Sequence, residues 1–269
     1  MRQLRVLVIG AHPDDCDGGC GGIALKYCRS GCTVRFVSVT DGSAGHQSLC
    51  REELAQIRRA EAQASAAAGG FTYTVLDNPD GRLEVNLKTR DGLLRIIRDF
   101  GPDILFTHRP NDYHPDHRYT AQLVQDNSYL IMVPNVCPDT PIMKSQPAIF
   151  YMRDSFKRPY PFTPDITVNI DDVIGKKLEL ITCHKSQFSD FLPWIDRLQL
   201  AIPQGYDNNR YAYDFVYGND GDTARLYREL LTARYGDQKG NAVQYAEAFE
   251  MSEYGRQIPT EEMGDYFPL

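Results

Sequence analysis

The chain has 269 residues, 42% hydrophobic and 24% charged, which is ordinary for a globular protein large enough to bury a substantial core. Its formal net charge of -7 argues against a nucleic-acid partner, because non-specific binding of that kind needs a basic surface. No apolar run approaches the roughly 20 residues of a membrane-spanning helix, so we expect no membrane partner. Seven cysteines, an odd number in a chain of this length, favour reduced thiols and a cytoplasmic location.

Short β-branched runs alternate with segments rich in helix formers. The start before VLVIG only faintly imitates a signal peptide, since its apolar part is short, and we expect a first strand there. The predicted strands, in chain order, are residues 6–9, 33–42, 71–77, 103–108, 147–153 and a short one from 166. This order predicts an α/β protein with a Rossmann-like, mostly parallel sheet flanked by helices.

The segments between the strands indicate the helices and loops. The predicted helices are residues 20–31, 48–70, 87–101, 117–129, one starting near Asp171 or Asp172, and 223–236. Residues 154–164 and 207–222 are expected to be loops. No low-complexity linker interrupts the chain, so we predict a single domain over residues 1–269, with residues 190–269 as a C-terminal extension.

A histidine and two carboxylates follow the first predicted strand at once. Val6–Ile9 is apolar throughout, as in a strand buried on both faces, and His12, Asp14 and Asp15 come within the next six residues. In an open α/β sheet, ligands bind at the carboxyl ends of the strands. The position therefore points to a site rather than to folding alone.

The loop after the fourth predicted strand carries a matching set, His114, Asp116 and His117, just where a helix begins. Catalytic zinc sites commonly use three protein ligands from histidine, aspartate or glutamate and leave one position for water. His12, Asp15 and His117 would supply two imidazoles and a carboxylate from two strand-end loops. This set predicts a hydrolytic zinc site.

The remaining side chains suit complementary roles around such a site. Asp14, next to the ligand Asp15, could accept the proton of the attacking water. His114 could stabilise the oxyanion and protonate the leaving amine. Asp116 could hold one imidazole in its tautomer through a hydrogen bond.

AHPDD at residues 11–15, together with HPDH at residues 114–117, resembles the LmbE/PIG-L family of zinc-dependent N-acetylglucosaminyl deacetylases. The two motifs lie about a hundred residues apart and each follows a predicted strand, as in that family. Shorter segments agree with it: TDG at 40–42, R-x-x-E at 58–61, PDG at 79–81, HKSQF at 184–188 and AEAF at 246–249. Residues 190–240 carry no motif that matches.

The resemblance implies hydrolysis of the acetamide on a glucosamine unit, which releases acetate and a free amine. It also implies one zinc ion on His12, Asp15 and His117, with Asp14 as general base and His114 and Asp116 as its catalytic partners. The substrate would be a small N-acetylated amino sugar, and a homo-oligomer is expected because related deacetylases often form one.

Two further positions match family residues that hold sugar hydroxyls, namely Arg58 and Asp80. Ser43 stands where many members carry a glutamate after the TxG turn, so the group beyond the sugar is not predicted. Arg58 and Glu61 also fit an ordinary pair on one helix face. The tyrosines of the C-terminal region suit either a sugar site or a subunit interface.

Other interpretations stay open at this point. His-Pro-Asp-Asp after a strand could be a capped turn, and His108 suits a loop or the core better than a fourth metal ligand. The cysteines at 16, 20, 28 and 32 suggest a metal cage only weakly, because a helix would scatter them over several faces. Rival functions are cleavage of another amide, such as a thiol conjugate, and a non-catalytic sugar- or nucleotide-binding module. GxGxxG is absent after the first strand, which weakens the nucleotide hypothesis.

Overall fold

A seven-stranded sheet forms the centre of the computed structural model, which describes residues 3–199 and 207–268. The strands are β1 (Arg5–Gly10), β2 (Thr33–Thr40), β3 (Thr72–Asn78), β4 (Ile104–Thr107), β5 (Ala148–Met152), β6 (Ile166–Asn169) and β7 (Ala246–Met251). They lie in the order β3-β2-β1-β4-β5-β7-β6. The first five are parallel, and β7 runs antiparallel to β5 and β6. The predicted α/β fold with a mostly parallel sheet is confirmed.

Helices cover both faces of this sheet. They are α1 (Asp15–Arg29), α2 (Arg51–Gly69), α3 (Leu87–Phe100), α4 (Pro115–Leu130), α5 (Ile174–Cys183), α6 (Leu192–Gln199), α7 (Asn208–Leu226), α8 (Arg228–Tyr235), α9 (Asp237–Ala242) and α10 (Met263–Tyr266). A π-helical segment, Ser186–Phe191, joins the α5 region to α6. Among the described residues, no helix combines the length and the apolar character that crossing a membrane requires.

Apart from a small third cluster around Leu231, the core of the described residues has two parts, one on each face of the sheet. Alternate residues of β1 supply both: Val6 and Val8 belong to one cluster, and Leu7 and Ile9 to the other. Side chains of a strand alternate between faces, so a strand covered on both sides must be apolar at every position. This explains the unbroken apolar run that precedes His12.

Three expectations about helices were wrong in detail. Residues 207–222 are not a loop, because α7 runs through them and buries Ala212 and Val216. The first helix begins at Asp15, five residues before its predicted start at residue 20, and so includes Gly18 and Gly19. Neither Asp171 nor Asp172 caps α5, since its N-cap is Val173 and no side chain caps it.

The C-terminal segment enters the central sheet. The AEAF motif opens β7, which lies between β5 and β6 and was not predicted as a strand. Residues 200–206 and 269 of the predicted extension lie outside the described residues. The boundary at residue 190 and the single domain remain predictions.

Candidate active site

The polar loops after β1 and β4 meet at the carboxyl edge of the sheet. From β1 the chain goes on to β2 and β3 on one side of the sheet, whereas β4 and β5 lie on the other side of β1. The strand order therefore reverses between β1 and β4. Such a switch point opens a crevice where ligands bind. Gly10 allows the tight turn that follows β1, because a Cβ there would lie 2.7 Å from Cβ of Asp15. The metal-ligand candidates are thereby brought against the strand end.

The three predicted metal ligands converge. Nδ1 of His12 lies 3.2 Å from Nε2 of His117 and 3.4 Å from Oδ2 of Asp15. Nε2 of His117 lies 3.5 Å from the same Asp15 oxygen. Ligands at about 2.1 Å around a tetrahedral zinc ion stand about 3.4 Å from one another. The three atoms therefore fit one face of such a coordination sphere.

The outer nitrogens of both imidazoles face carboxylates. Nε2 of His12 lies 3.2 Å from Oδ1 of Asp80 and 3.3 Å from Oδ2 of Asp116, and Nδ1 of His117 lies 3.1 Å from Oδ2 of Asp112. A carboxylate at the outer nitrogen favours the tautomer that carries its proton there. The inner nitrogens then keep their lone pairs for a metal ion.

Two more histidines border this group. Nδ1 of His114 accepts a hydrogen bond from the Asp116 backbone N–H at 3.2 Å, at the start of α4. In the neutral ring this assigns the proton to Nε2. The His108 ring stacks on His117 with centroids 4.1 Å apart, and its Nε2 lies 3.1 Å from Oδ2 of Asp15. Ligand atoms of three sets come within 4.8 Å of one another: His12–His114–His117, Asp15–His108–His117 and His12–Asp80–Asp116.

Asp14 is held by Arg58. Nη2 of Arg58 donates to Oδ1 of Asp14 at 2.7 Å, and Nη1 donates to the Gly42 carbonyl at 3.3 Å. Gly42 has φ +67°, and a Cβ there would lie 2.9 Å from the arginine side chain, so only glycine lets the two approach. With Arg58 only 2% exposed, the ion pair fixes the orientation of the Asp14 carboxylate.

Asp80 also lies in the site, with its oxygens engaged by the protein. Its Oδ2 accepts from the Ala44 backbone N–H at 2.9 Å, while Oδ1 faces His12. Asp116 likewise accepts from the Gly81 backbone N–H at 2.7 Å. Both carboxylates thus connect the PDG turn to the His12 ring. All eight predicted site residues come together, and their individual roles remain predictions.

Charges within the cluster stabilise one another. Burial by itself would lower the pKa of His12. Hydrogen bonds to the surrounding carboxylates, led by that to Asp116, outweigh burial and raise this pKa well above the usual value. Burial by itself would raise the pKa of Asp15. The nearby His117 and His108 rings outweigh burial and hold this pKa well below the usual range. Burial and the neighbouring His12 lower the pKa of His114. Carboxylates outnumber fixed cations in this pocket, which favours cation binding.

Two of the shorter motifs, R-x-x-E and HKSQF, form hydrogen bonds close to the loop after β1. Glu61 accepts from the backbone and hydroxyl of Ser186, at 2.8 Å and 2.6 Å, and so links R-x-x-E to HKSQF. Nε2 of His184 lies 3.0 Å from Oδ2 of Asp17, and both residues are fully buried. His184 therefore has a structural role.

The AEAF motif at residues 246–249 contacts α1. Glu247 accepts from two backbone N–H groups inside α1, those of Gly22 and Ile23, at 2.8 Å and 2.7 Å. Lys177 lies between Glu247 and Asp220, at 2.9 Å and 2.8 Å. This buried network anchors the helix that begins at Asp15.

A cleft of about 970 Å³ extends from the histidines towards the C-terminal part of the chain. Its far wall comes from β5, the segment after it, the π-helical segment, α6 and α7. This volume is at the upper end of typical small-molecule sites. The region without a recognisable motif therefore lines the part of the cleft away from the metal-ligand candidates.

Sequence reasoning missed two residues of the site. His108 was expected in a loop or the core, yet it contacts Asp15 because β4 is the immediate neighbour of β1. Asp112 was not singled out, although it lies five residues before His117 in the same loop and pairs with it. Strand adjacency would have indicated the first, and a search for carboxylate partners of the histidines the second. The three metal-capable sets among the described residues contain no cysteine.

The fold and the site together define an α/β protein with an imidazole–carboxylate centre suited to a metal ion at its topological switch point. Comparison with known proteins agrees. The family model described as PIG-L, GlcNAc-PI de-N-acetylase, matches residues 7–127. Diacetylchitobiose deacetylase from Thermococcus kodakarensis is 31% identical over 192 residues, which cover 69% of this chain and 71% of that protein. The chain belongs to the PIG-L family.

Two solved structures show the same architecture. N,N'-diacetylchitobiose deacetylase from Pyrococcus horikoshii, in complex with an inhibitor, has a TM-score of 0.71 and 29% identity, covering 93% of this chain and 84% of that one. The 4-carboxy-2-hydroxymuconate hydratase from Pseudomonas putida has a TM-score of 0.75 at 18% identity, covering 94% of this chain and 98% of that one. A hydratase and a deacetylase share this fold, so the reaction must be argued from the site.

Proposed function

We propose that this protein is a zinc-dependent deacetylase that hydrolyses the acetamide of a small molecule containing N-acetylglucosamine. The observation that carries the proposal is the convergence of His12 Nδ1, Asp15 Oδ2 and His117 Nε2 at mutual distances of 3.2 to 3.5 Å. Family membership and the diacetylchitobiose deacetylase relative support the choice of reaction. A divalent ion held by these three atoms would supply a Lewis acid for the amide carbonyl and lower the pKa of water.

Asp14 is the proposed general base. Its Oδ1 is occupied by Arg58, which leaves Oδ2 to accept the proton of the attacking water. The same carboxyl can pass this proton to the nitrogen of the amide as the carbon–nitrogen bond breaks. The products are acetate and the free amine, and Asp14 returns to its starting form.

His114 is the proposed oxyanion donor. Because its Nδ1 accepts from the Asp116 backbone, the neutral ring presents an N–H at Nε2, which can donate to the carbonyl oxygen as negative charge develops. Delivering that proton to the amine would leave an imidazolate, so we assign protonation of the amine to Asp14. Asp116 and Asp112 are proposed to orient the two ligand imidazoles.

Arg58 and Asp80 keep their predicted role in binding sugar hydroxyls as part of the proposal, alongside the contacts that each makes within the protein. A homo-oligomer is proposed on the resemblance alone. A cytoplasmic location is proposed from the seven cysteines, all of which are free thiols. One domain is proposed because β7, from the C-terminal segment, pairs with β5 and β6.

Metal analysis and a substrate panel test the proposal together. We expect about one equivalent of zinc per chain and chelator-sensitive release of acetate from N-acetylglucosamine, its disaccharide or a glycoside. Turnover only of an acylated thiol conjugate of glucosamine would favour the amidase alternative. Sugar binding that is unaffected by a chelator, without acetate release, would contradict an enzymatic role and favour a binding module.

A further inference from the structure

Arg153 is the first residue after β5 and lines the same cleft as the metal-ligand candidates. β5 pairs with β4, and β4 with β1, all in parallel. Two inter-strand spacings place the end of β5 roughly 10 Å from the end of β1 along the same sheet edge. Met152 packs directly on α1, since a Cβ at Gly19 would overlap its sulfur. Arg153 thus stands beside the catalytic centre, on the side of the far wall.

The other charged side chains of the cleft have partners within the protein. Arg109, for example, makes two contacts of 2.7 Å with the carboxylate of Asp154, the residue next to Arg153. The remaining pairs are Arg58 with Asp14, Lys177 with Asp220 and Glu247, His12 with Asp80, His117 with Asp112, Tyr211 with Asp196, and Arg225 with Asp222.

Arg153 differs from all of these. No hydrogen-bond acceptor among the described residues contacts its guanidinium, and its Nε is buried without a partner. Burying a donor without an acceptor costs free energy, so a site of this kind favours a ligand that supplies one. Burial raises the pKa of Asp220 to about 6, and Arg153 lies near enough to oppose that rise. The Asp220 carboxylate is already engaged by Lys177, at 2.8 and 2.9 Å.

The surroundings strengthen such a contact. The cleft that Arg153 lines also has apolar lining residues, namely Phe156, Phe191, Leu192, Ile195 and Phe215. In an apolar, partly enclosed cleft, a charge pair is screened less than in open water. The planar guanidinium presents parallel N–H groups that match the oxygen pairs of carboxylates and phosphates.

We propose that Arg153 binds an anionic oxygen group, a carboxylate or a phosphate, on the part of the substrate beyond the N-acetylated sugar. This inference rests on the proposed deacetylase function and makes Arg153 a specificity-determining residue of the same cleft. The rival explanation is structural: Lys177 carries one charge against the two carboxylates of Asp220 and Glu247, and Arg153 would balance the excess.

Three N-acetylglucosaminides with one shared aglycone, ending in a carboxylate, a phosphate or an uncharged carboxamide, separate these explanations. For the metal-loaded wild type we expect kcat/KM on either the carboxylate or the phosphate substrate to exceed kcat/KM on the carboxamide substrate by about 10- to 100-fold. Arg153→Gln should remove this preference, mainly through KM, and leave the carboxamide substrate unchanged. Arg153→Lys should retain part of it. Which anion is preferred distinguishes a carboxylate substrate from a phosphate one.

Lys157→Gln is the matched control, because it removes a positive charge from an exposed position four residues further along the same segment, outside the cleft lining. It should leave the preference intact. Equal turnover of all three substrates by the wild type overturns the proposal. An equal loss on all three in Arg153→Gln does so too, in favour of charge balance.

Calorimetry with the three amine products gives a readout that does not need turnover. If wild-type protein releases no acetate but binds an anionic amine about 10- to 100-fold more tightly than the carboxamide, the deacetylase function fails and the role of Arg153 stands. If acetate is released and the amines bind equally, the deacetylase function stands and the role of Arg153 fails.

Discussion

The two sides of the cleft are built on different principles. The side formed by the loops after β1 and β4 consists of imidazoles and carboxylates in direct contact, as in the 3.2 Å approach of His12 to His117. The far wall consists of ion pairs within the protein, such as Lys177 with Asp220, of aromatic side chains, and of Arg153, which has no hydrogen-bond partner among the described residues. The first side lies within the residues that the family model matches, 7–127, and the second lies outside them. The family thus defines the chemistry, whereas the far wall is where this chain can differ in substrate.

Removing a proposed metal ligand should have the largest effect of all on the side of the cleft that carries the histidines. His117→Ala deletes one of the three converging atoms, so we expect bound zinc and acetate release both to be lost. Elemental analysis beside the activity assay checks this. His46→Ala, at a histidine outside the cleft lining, serves as the control and should keep both. Full zinc content in His117→Ala would contradict the ligand assignment.

Replacing Asp14, the proposed general base, should separate chemistry from metal binding. Asp14→Asn keeps the shape of the side chain but cannot accept the proton, so kcat should fall by about 10²- to 10⁴-fold while zinc content stays the same. Steady-state kinetics and elemental analysis measure the two quantities. Asp77→Asn, at an exposed aspartate, should match the wild type. Near-normal kcat in Asp14→Asn would remove it from the base role.

On the far wall, breaking the buried ion network should cost stability rather than chemistry. Burial by itself would lower the pKa of Lys177, but the carboxylates of Asp220 and Glu247 outweigh burial and hold this pKa above its usual value. Lys177→Met leaves both carboxylates buried without their ammonium, which should lower the free energy of unfolding by about 3–5 kcal/mol. Denaturant unfolding measures this. The adjacent Lys176→Met breaks an exposed pair with Glu179 and should cost at most about 1 kcal/mol. An equal loss of unfolding free energy in Lys177→Met and Lys176→Met would mean that the buried network stabilises the protein no more than an exposed ion pair does.

The carboxylates behind the histidines should show the smallest effect. Asp112→Asn weakens the contact that orients His117, so zinc affinity should fall by about 10- to 100-fold while saturating zinc restores most of the activity. Competition with a chelator of known affinity measures this. An unchanged zinc affinity would show that the loop alone positions the ring.

The sequence predicted the parallel sheet and the motif-bearing strand ends well, because hydrophobic alternation and strand-end polar residues are local signals. It failed for α7, where tyrosine, asparagine and glycine are weak helix formers and the helix is stabilised by burying Ala212 and Val216. It also failed for the cap of α5. Asp171, one of the two expected caps, accepts instead from the backbone N–H groups of Gln244 and Tyr245, at 3.0 and 2.7 Å. Contacts between distant segments decided both cases.

By itself, the sequence determined the fold class and the set of side chains available for chemistry, since AHPDD and HPDH each follow a buried strand. Only the tertiary structure decided which atoms of these residues meet. Placing β4 beside β1 brought His108 to Asp15, and the approach of α2 to the loop after β1 paired Arg58 with Asp14. The same assembly paired most charges of the far wall with one another and left Arg153 without a hydrogen-bond partner in the part of the chain that the structure describes. Which charges pair depends on how distant segments pack, and spacing along the chain does not encode that.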